Sequence, residues 1–295
     1  MLPRHERYPY SYLEDRRDYC WPGDKRLAFY IATNLEDFAF GSGSRIGQYE
    51  TLAPRDYAGR DYGMRVGIAY LMDMFDELGI RVGHNINSLL YEQRSRVFDR
   101  VRARGDEVIG HGRTNSERQG QMLEADEAHM IRTVTDTIRE HEGVAPKGWL
   151  GPGRSESTAT PDLLQEAGYK YLMDWACDDQ PIWMKTRSGR ILSVPYPLEI
   201  NDGEMIMRRR HSGREFADMI VDHFEEMLKQ SAKWPLVYGV SLHPFMTGHP
   251  FQLRPLRQAL LHCMRHPQRE RVWYTVPGDI CEYCYALPAG IVPGS

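Results

Sequence analysis

What most restricts the folding of this chain is a repeated alternation. Short apolar runs that read as buried strands are each followed by a longer stretch with apolar residues at helical spacing. Residues 26–33 form the first run, set off upstream by the turn residues Pro22-Gly23-Asp24. Further strands are predicted at 80–87, 107–110, 148–150, 169–175, 191–196, 236–242 and 272–276. Between them, helices are predicted at 62–78, 88–103, 123–142, 160–167, 213–233, 256–265 and 278–285, the first three closed by Gly79, Gly105 and Gly143. Units of β then α demand a parallel sheet, and this many predict an irregular α/β barrel of seven to eight strands. With 295 residues, 41% of them hydrophobic, the chain can bury one full core, and no linker, repeat or low-complexity segment divides it. We expect a single domain over 1–295, its core at about 20–285.

Charge narrows the function. A formal net charge of −4, with no block of Lys or Arg, leaves no basic field for nucleic acid or a membrane surface. The first residues are polar, and no run approaches membrane-spanning length, so a cytoplasmic protein, and a homo-oligomer, is expected. The five cysteines are scattered as reduced thiols would be, and the Cys281/Cys284 pair lacks the second pair a zinc ribbon requires, so both read as helix-borne packing residues.

In a β/α barrel, chemistry collects where strands end and loops begin, so polar residues there are predicted neighbours however far apart in sequence. Glu36 and Asp37 leave the first strand together, and two adjacent carboxylates beside a core require a metal, an arginine or a proton-transfer role. Later strand ends carry His111 to Asn115, Arg154, Asp178 with Asp179, Asn201 with Asp202, and His243. Each has a blander reading. Asp178 could cap a helix, Arg154 could be a surface arginine, and Asn201-Asp202-Gly203 could be only a turn. Trp149, Trp175 and Trp183 could line a pocket or fill the core, and Arg208-Arg209-Arg210-His211 reads as a solvated or anion-facing segment.

These motifs, taken in order, resemble those of the polysaccharide deacetylase, or NodB-homology, superfamily. Asn34-Leu35-Glu36-Asp37-Phe38 is in register with its first motif, His111-Gly112-Arg113-Thr114-Asn115 with its second, and Gly151-Pro152-Gly153-Arg154 with its third. Asp178-Asp179-Gln180-Pro181 approximates the fourth, and Leu242-His243 the fifth. The resemblance implies a NodB-type barrel, with Glu36 on the catalytic-base position, Asp37 and His111 on metal-ligand positions, and Asn115 where a second histidine ligand stands in the family. The glutamate in the first motif, the 195–202 segment and Arg60-Asp61-Tyr62-Gly63-Met64-Arg65 resemble one branch in particular, that of allantoinase-like enzymes and cyclic-imide hydrolases.

The resemblance implies a hydrolase of non-peptide C–N bonds that opens a small cyclic ureide or imide. Alternatives are a metal-dependent N-deacetylase of an amino sugar, polysaccharide or acetylated metabolite, and a barrel that binds a ligand without turnover. The expected catalytic set is Glu36 as base, His243 as oxyanion or acid partner, and Arg154 paired with Asp178 to orient the base. Arg65, Trp149, Asp179 and Asn201 are expected to bind substrate. A divalent metal, zinc in first place, is expected on Asp37, His111 and Asn115, weakly because an amide oxygen is a poorer zinc ligand than imidazole; a metal-free mechanism stays open. The partner expected is a small amide or imide, with the insertion at 41–47 partly closing the groove a polymer would need.

Overall fold

The computed structural model describes residues 5–40, 54–92 and 95–295; the insertion at 41–47 lies outside them. Nine strands form one sheet: β1 (Leu27–Leu35), β2 (Gly83–Ile86), β3 (Glu107–Gly110), β4 (Gly148–Trp149), β5 (Tyr171–Leu172), β6 (Ile182–Thr186), β7 (Gly189–Ser193), β8 (Leu236–Leu242) and β9 (Val272–Thr275). Their order is β6-β7-β5-β4-β3-β2-β1-β8, with β9 added to β1. All pairings are parallel except the β6–β7 hairpin. The segment after β7 spans the gap back to β8: Tyr30 Oη donates to Pro195 O at 2.6 Å, and Ser241 N donates to Ile200 O at 2.9 Å. The curled mixed sheet is the irregular barrel expected from the alternation.

Among the described residues eight α-helices accompany the sheet: α1 (Pro54–Tyr62), α2 (Ile68–Leu78), α3 (Ser95–Arg104), α4 (Glu124–Glu142), α5 (Thr160–Glu166), α6 (Gly213–Gln230), α7 (Pro250–Met264) and α8 (Pro277–Ala286). Local chemistry sets several ends. Gly79 takes φ 64° to close α2, and Ser212 with Glu215 forms a reciprocal capping box that opens α6. Cys281 and Cys284 lie buried on α8 as unpaired packing residues.

Strand parity organises the core. Leu27, Phe29 and Ile31 of β1 pack with Phe216, Ile220 and Phe224 of α6, whereas Ala28, Tyr30 and Ala32 join the interior cluster with Ile109, Tyr171 and Val237. Alternation at period two, carried past the strand end, sends Asn34 and Glu36 inward with Ala28, Tyr30 and Ala32. The same parity, running from Val237 on β8 and Ile109 on β3, sends Ser241 with His243, and His111, to the same interior.

Several element predictions differ from the structure. The helix predicted from Ser88 is a 3₁₀ turn at Ser88–Glu92, with α3 starting at Ser95. Helix α7 starts at Pro250, six residues before the predicted 256, because Pro255, which reads as a boundary, lies inside the helix. The strand predicted at 169–175 pairs only over Tyr171–Leu172, and β6 was not predicted.

Candidate active site

A cavity of about 850 Å³ opens at the carboxyl ends of the strands, walled in part by Glu36, His111, Arg154, Asn201 and His243. Glu36 lies at its focus, and one oxygen, Oε1, collects three contacts. Asn115 Nδ2 donates to it at 2.9 Å, and the Nε2 atoms of His111 and His243 each stand 3.6 Å away. Burial alone would raise the Glu36 carboxyl, but His243, His111 and Arg60 together hold it below its ordinary value, so it is ionised at neutral pH.

Both histidines are oriented from behind. His111 Nδ1 donates to Leu150 O at 2.6 Å, which turns Nε2 toward the cavity. The amide of that same peptide unit, Gly151 N–H, donates to Asp174 at 2.9 Å. His243 Nδ1 donates to Asp202 Oδ1 at 2.6 Å, its backbone N–H to Oδ2 at 2.7 Å, and Thr247 Oγ1 donates to Oδ2 at 2.8 Å. Burial works to lower the His243 pKa, but the Asp202 and Glu36 carboxylates outweigh it and the net shift is upward. The loop carrying His243 is seated by glycines: a Cβ on Gly67 would fall 2.0 Å from Pro244 O.

Four of the expected site residues stand elsewhere. Asp178 pairs with Arg16 at 2.6 Å, not with Arg154, and borders a separate cleft together with Asp179. The carboxylate at the end of β5 is Asp174, overlooked because the strand was read as running through it. Burial raises the carboxyls of both Glu156 and Asp174; the Asp174 charge raises Glu156 further, whereas the Gly151 amide, His111, Arg154 and a hydrogen bond with Glu156 work against the rise at Asp174. Trp149 is fully buried, its Nε1 donating to Gln119 Oε1 at 3.2 Å, so it belongs to the core. Arg65 is exposed and faces Asp61 at 3.6 Å, while the arginine of that segment nearest the site is Arg60, lying 4.3 Å over the Phe38 ring. Five helical residues turn through about 140°, so Arg60 and Arg65 cannot share a face. Asn201 does wall the cavity, and its Oδ1 accepts from Gly203 N at 3.0 Å. Reading Asn201-Asp202 as a turn had hidden Asp202, which orients His243.

The donor set fits a divalent cation. Glu36 Oε2, His111 Nε2 and Asn115 Oδ1 are all buried, all electron-pair donors, and all without a hydrogen-bond partner. The carboxylate that meets His111 and Asn115 in these contacts is that of Glu36. Asp37 is half-buried; its backbone carbonyl accepts from Asn115 N and Thr114 Oγ1 at 2.8 Å, and it borders a smaller recess with Arg60. A separate surface group, Glu225 with His262 and His266, also brings its ligand atoms within 4.8 Å of one another on the outer layer of α6 and α7.

No protein-family profile matches the chain. A curated peptidoglycan deacetylase from Helicobacter pylori is 22% identical over 251 residues, 72% of this chain and 83% of that protein. The crystal structure of PuuE allantoinase superposes with a TM-score of 0.82 at 23% identity, covering 95% of this chain and 98% of that one. That of a probable polysaccharide deacetylase from Pseudomonas aeruginosa PAO1 gives 0.80 at 23% identity, covering 90% and 93%. The fold is the NodB-type barrel. The resemblance to the polysaccharide deacetylase superfamily is borne out by the peptidoglycan deacetylase match, whose name is that of a hydrolase acting on C–N bonds other than peptide bonds, and the two solved structures bear out the fold. Among the described residues no helix is long and apolar enough to cross a membrane.

Proposed function

We propose that this chain hydrolyses a non-peptide C–N bond in a small cyclic ureide or imide. The observation that carries the reading is the focus at Glu36: an ionised carboxylate whose Oε1 lies 3.6 Å from the Nε2 atoms of two separately anchored histidines at the base of a cavity. Water is a poor nucleophile, and a buried carboxylate beside an imidazole lone pair holds and deprotonates it. In our reading the water hydrogen-bonds to His111 Nε2 and gives a proton to Glu36 as its oxygen attacks the ring carbonyl. His243 Nε2–H stabilises the oxyanion that forms and then protonates the nitrogen as the C–N bond breaks. Asp202 keeps His243 protonated and aimed. A divalent cation held by Glu36, His111 and Asn115 would add Lewis-acid polarisation of the carbonyl.

A second reading, N-deacetylation of a glycan, is supported by the Helicobacter relative, whose name is that of a peptidoglycan deacetylase. A substrate panel separates the two. Allantoin, hydantoins, succinimide-type imides and dihydropyrimidines, followed by ring opening, should include a turned-over compound, and N-acetylglucosamine oligomers should release no acetate. Acetate release with every ring left intact would transfer the assignment to the deacetylase.

A further inference from the structure

The cavity that holds Glu36, His111 and His243 is also lined by arginines. After β4 the chain makes two consecutive left-handed turns, Gly153 at φ 60° and Arg154 at φ 54°. Glycine adopts this conformation freely; arginine does so only at a cost that its surroundings must hold in place. The turn also brings in a second cation. A Cβ on Gly153 would fall 2.0 Å from Arg118 Nη1, so the guanidinium packs directly over the bare glycine. Arg118 Nη1 reaches no further than Pro152 O at 3.4 Å, and Arg154 Nη1 is buried with no partner. Among the described residues neither arginine forms an ion pair, and both wall the cavity that holds Glu36 and His243. Across the mouth stand Arg208, paired with Glu204 at 2.9 Å, and Arg210, itself at φ 65°.

Two guanidinium groups lining one cavity with no ion pair among the described residues, in a chain of net charge −4, make a binding site for an anion. Planar guanidinium forks match a carboxylate best. We infer that Arg118 and Arg154 bind a carboxylate carried by the substrate itself, so that the preferred substrate is an anionic ring amide. This rests on the ring-amide reading above and narrows it. A neutral ring would leave both guanidinia facing the cavity without a partner until ring opening made the product carboxylate.

The test is a binding measurement, so it does not depend on turnover. By titration calorimetry on the full chain, 5-carboxymethylhydantoin should bind at least tenfold more tightly than hydantoin, because one hydrogen-bonded charge pair is worth roughly that factor or more. The preference should shrink as salt is raised. Arg118→Gln and Arg154→Gln should each remove most of it, and Arg118→Lys, which keeps the charge and loses the fork, should restore part. Equal affinity for the two rings in the wild type would overturn the inference whatever the variants do. So would tighter binding of inorganic phosphate than of the carboxylated ring, or a preference that survives in both folded glutamine variants. Carboxylate preference with no ring opened anywhere would keep this site and sink the hydrolytic reading instead.

Discussion

At the scale of single residues, the account turns on which groups Glu36 meets. Its pKa is held down by His243, His111 and Arg60 against its own burial, and that of His243 is held up by Asp202 and Glu36 against its own burial. The signs give a pH profile. Activity should fall at low pH as Glu36 gains its proton, below its ordinary range near 4.5, and at high pH as His243 loses its proton, above its ordinary 6.5. The His243 contribution to stability runs the same way: complete below 6.5 and lost as pH rises through the raised folded value. Asp202→Asn should therefore move the alkaline limb of kcat to lower pH while leaving the acid limb in place; an unmoved alkaline limb would show that His243 is not the acid. Asn115→His replaces an orphaned amide oxygen with imidazole and should tighten zinc, measured by metal content after dialysis against a chelator. Stoichiometric zinc surviving chelator in the wild type would count against the weak site expected here. Glu36, Asp37, His111 and His243 were legible as strand-end polar residues. The division of labour was legible only through parity, which turns Glu36 and Asn34 inward and was not applied to the acidic pair.

At the scale of elements, the site depends on close approach between helix and loop. The π-helical turn Gly63–Gly67 joins α1 to α2, and a Cβ on Gly67 would meet Pro244 O, next to His243, at 2.0 Å. Gly67→Ala should cost about 1–3 kcal/mol in denaturant unfolding and reduce turnover by displacing the His243 loop. Gly59→Ala is the control: nothing lies within 4 Å of its Cβ on α1, so it should stabilise by ~0.5–1 kcal/mol through reduced chain entropy. Equal effects of the two would mean that the backbone contact does not position the loop. Sequence patterning located most elements and failed where tertiary context overrode it. The strand at residues 169–175 has the composition of a long strand, but β5 pairs for only two residues before Asp174 turns to the Gly151 amide. That misplaced boundary moved attention to Asp178, which belongs to Arg16. A pairing between residues 162 positions apart has no local signature in sequence.

At the scale of the whole molecule, the barrel brings the segments after β1, β3, β4, β7 and β8 to one mouth. Glu36 and the two histidines share this cavity with Arg118 and Arg154, which form no ion pair among the described residues. The alternation of β and α signals made the barrel legible, because it leaves few topologies open. The cavity's cationic wall was not, since Arg118 and Arg154 are juxtaposed by two left-handed residues and by the absence of a single Cβ. The central claim is that the Glu36 carboxylate performs the proton transfer that starts hydrolysis. It is tested most directly by kcat for Glu36→Gln on whichever ring amide the wild type opens, with the fold checked by circular dichroism. The account predicts a loss of roughly 10²–10⁴-fold in a folded protein; near-normal turnover in that variant would contradict it.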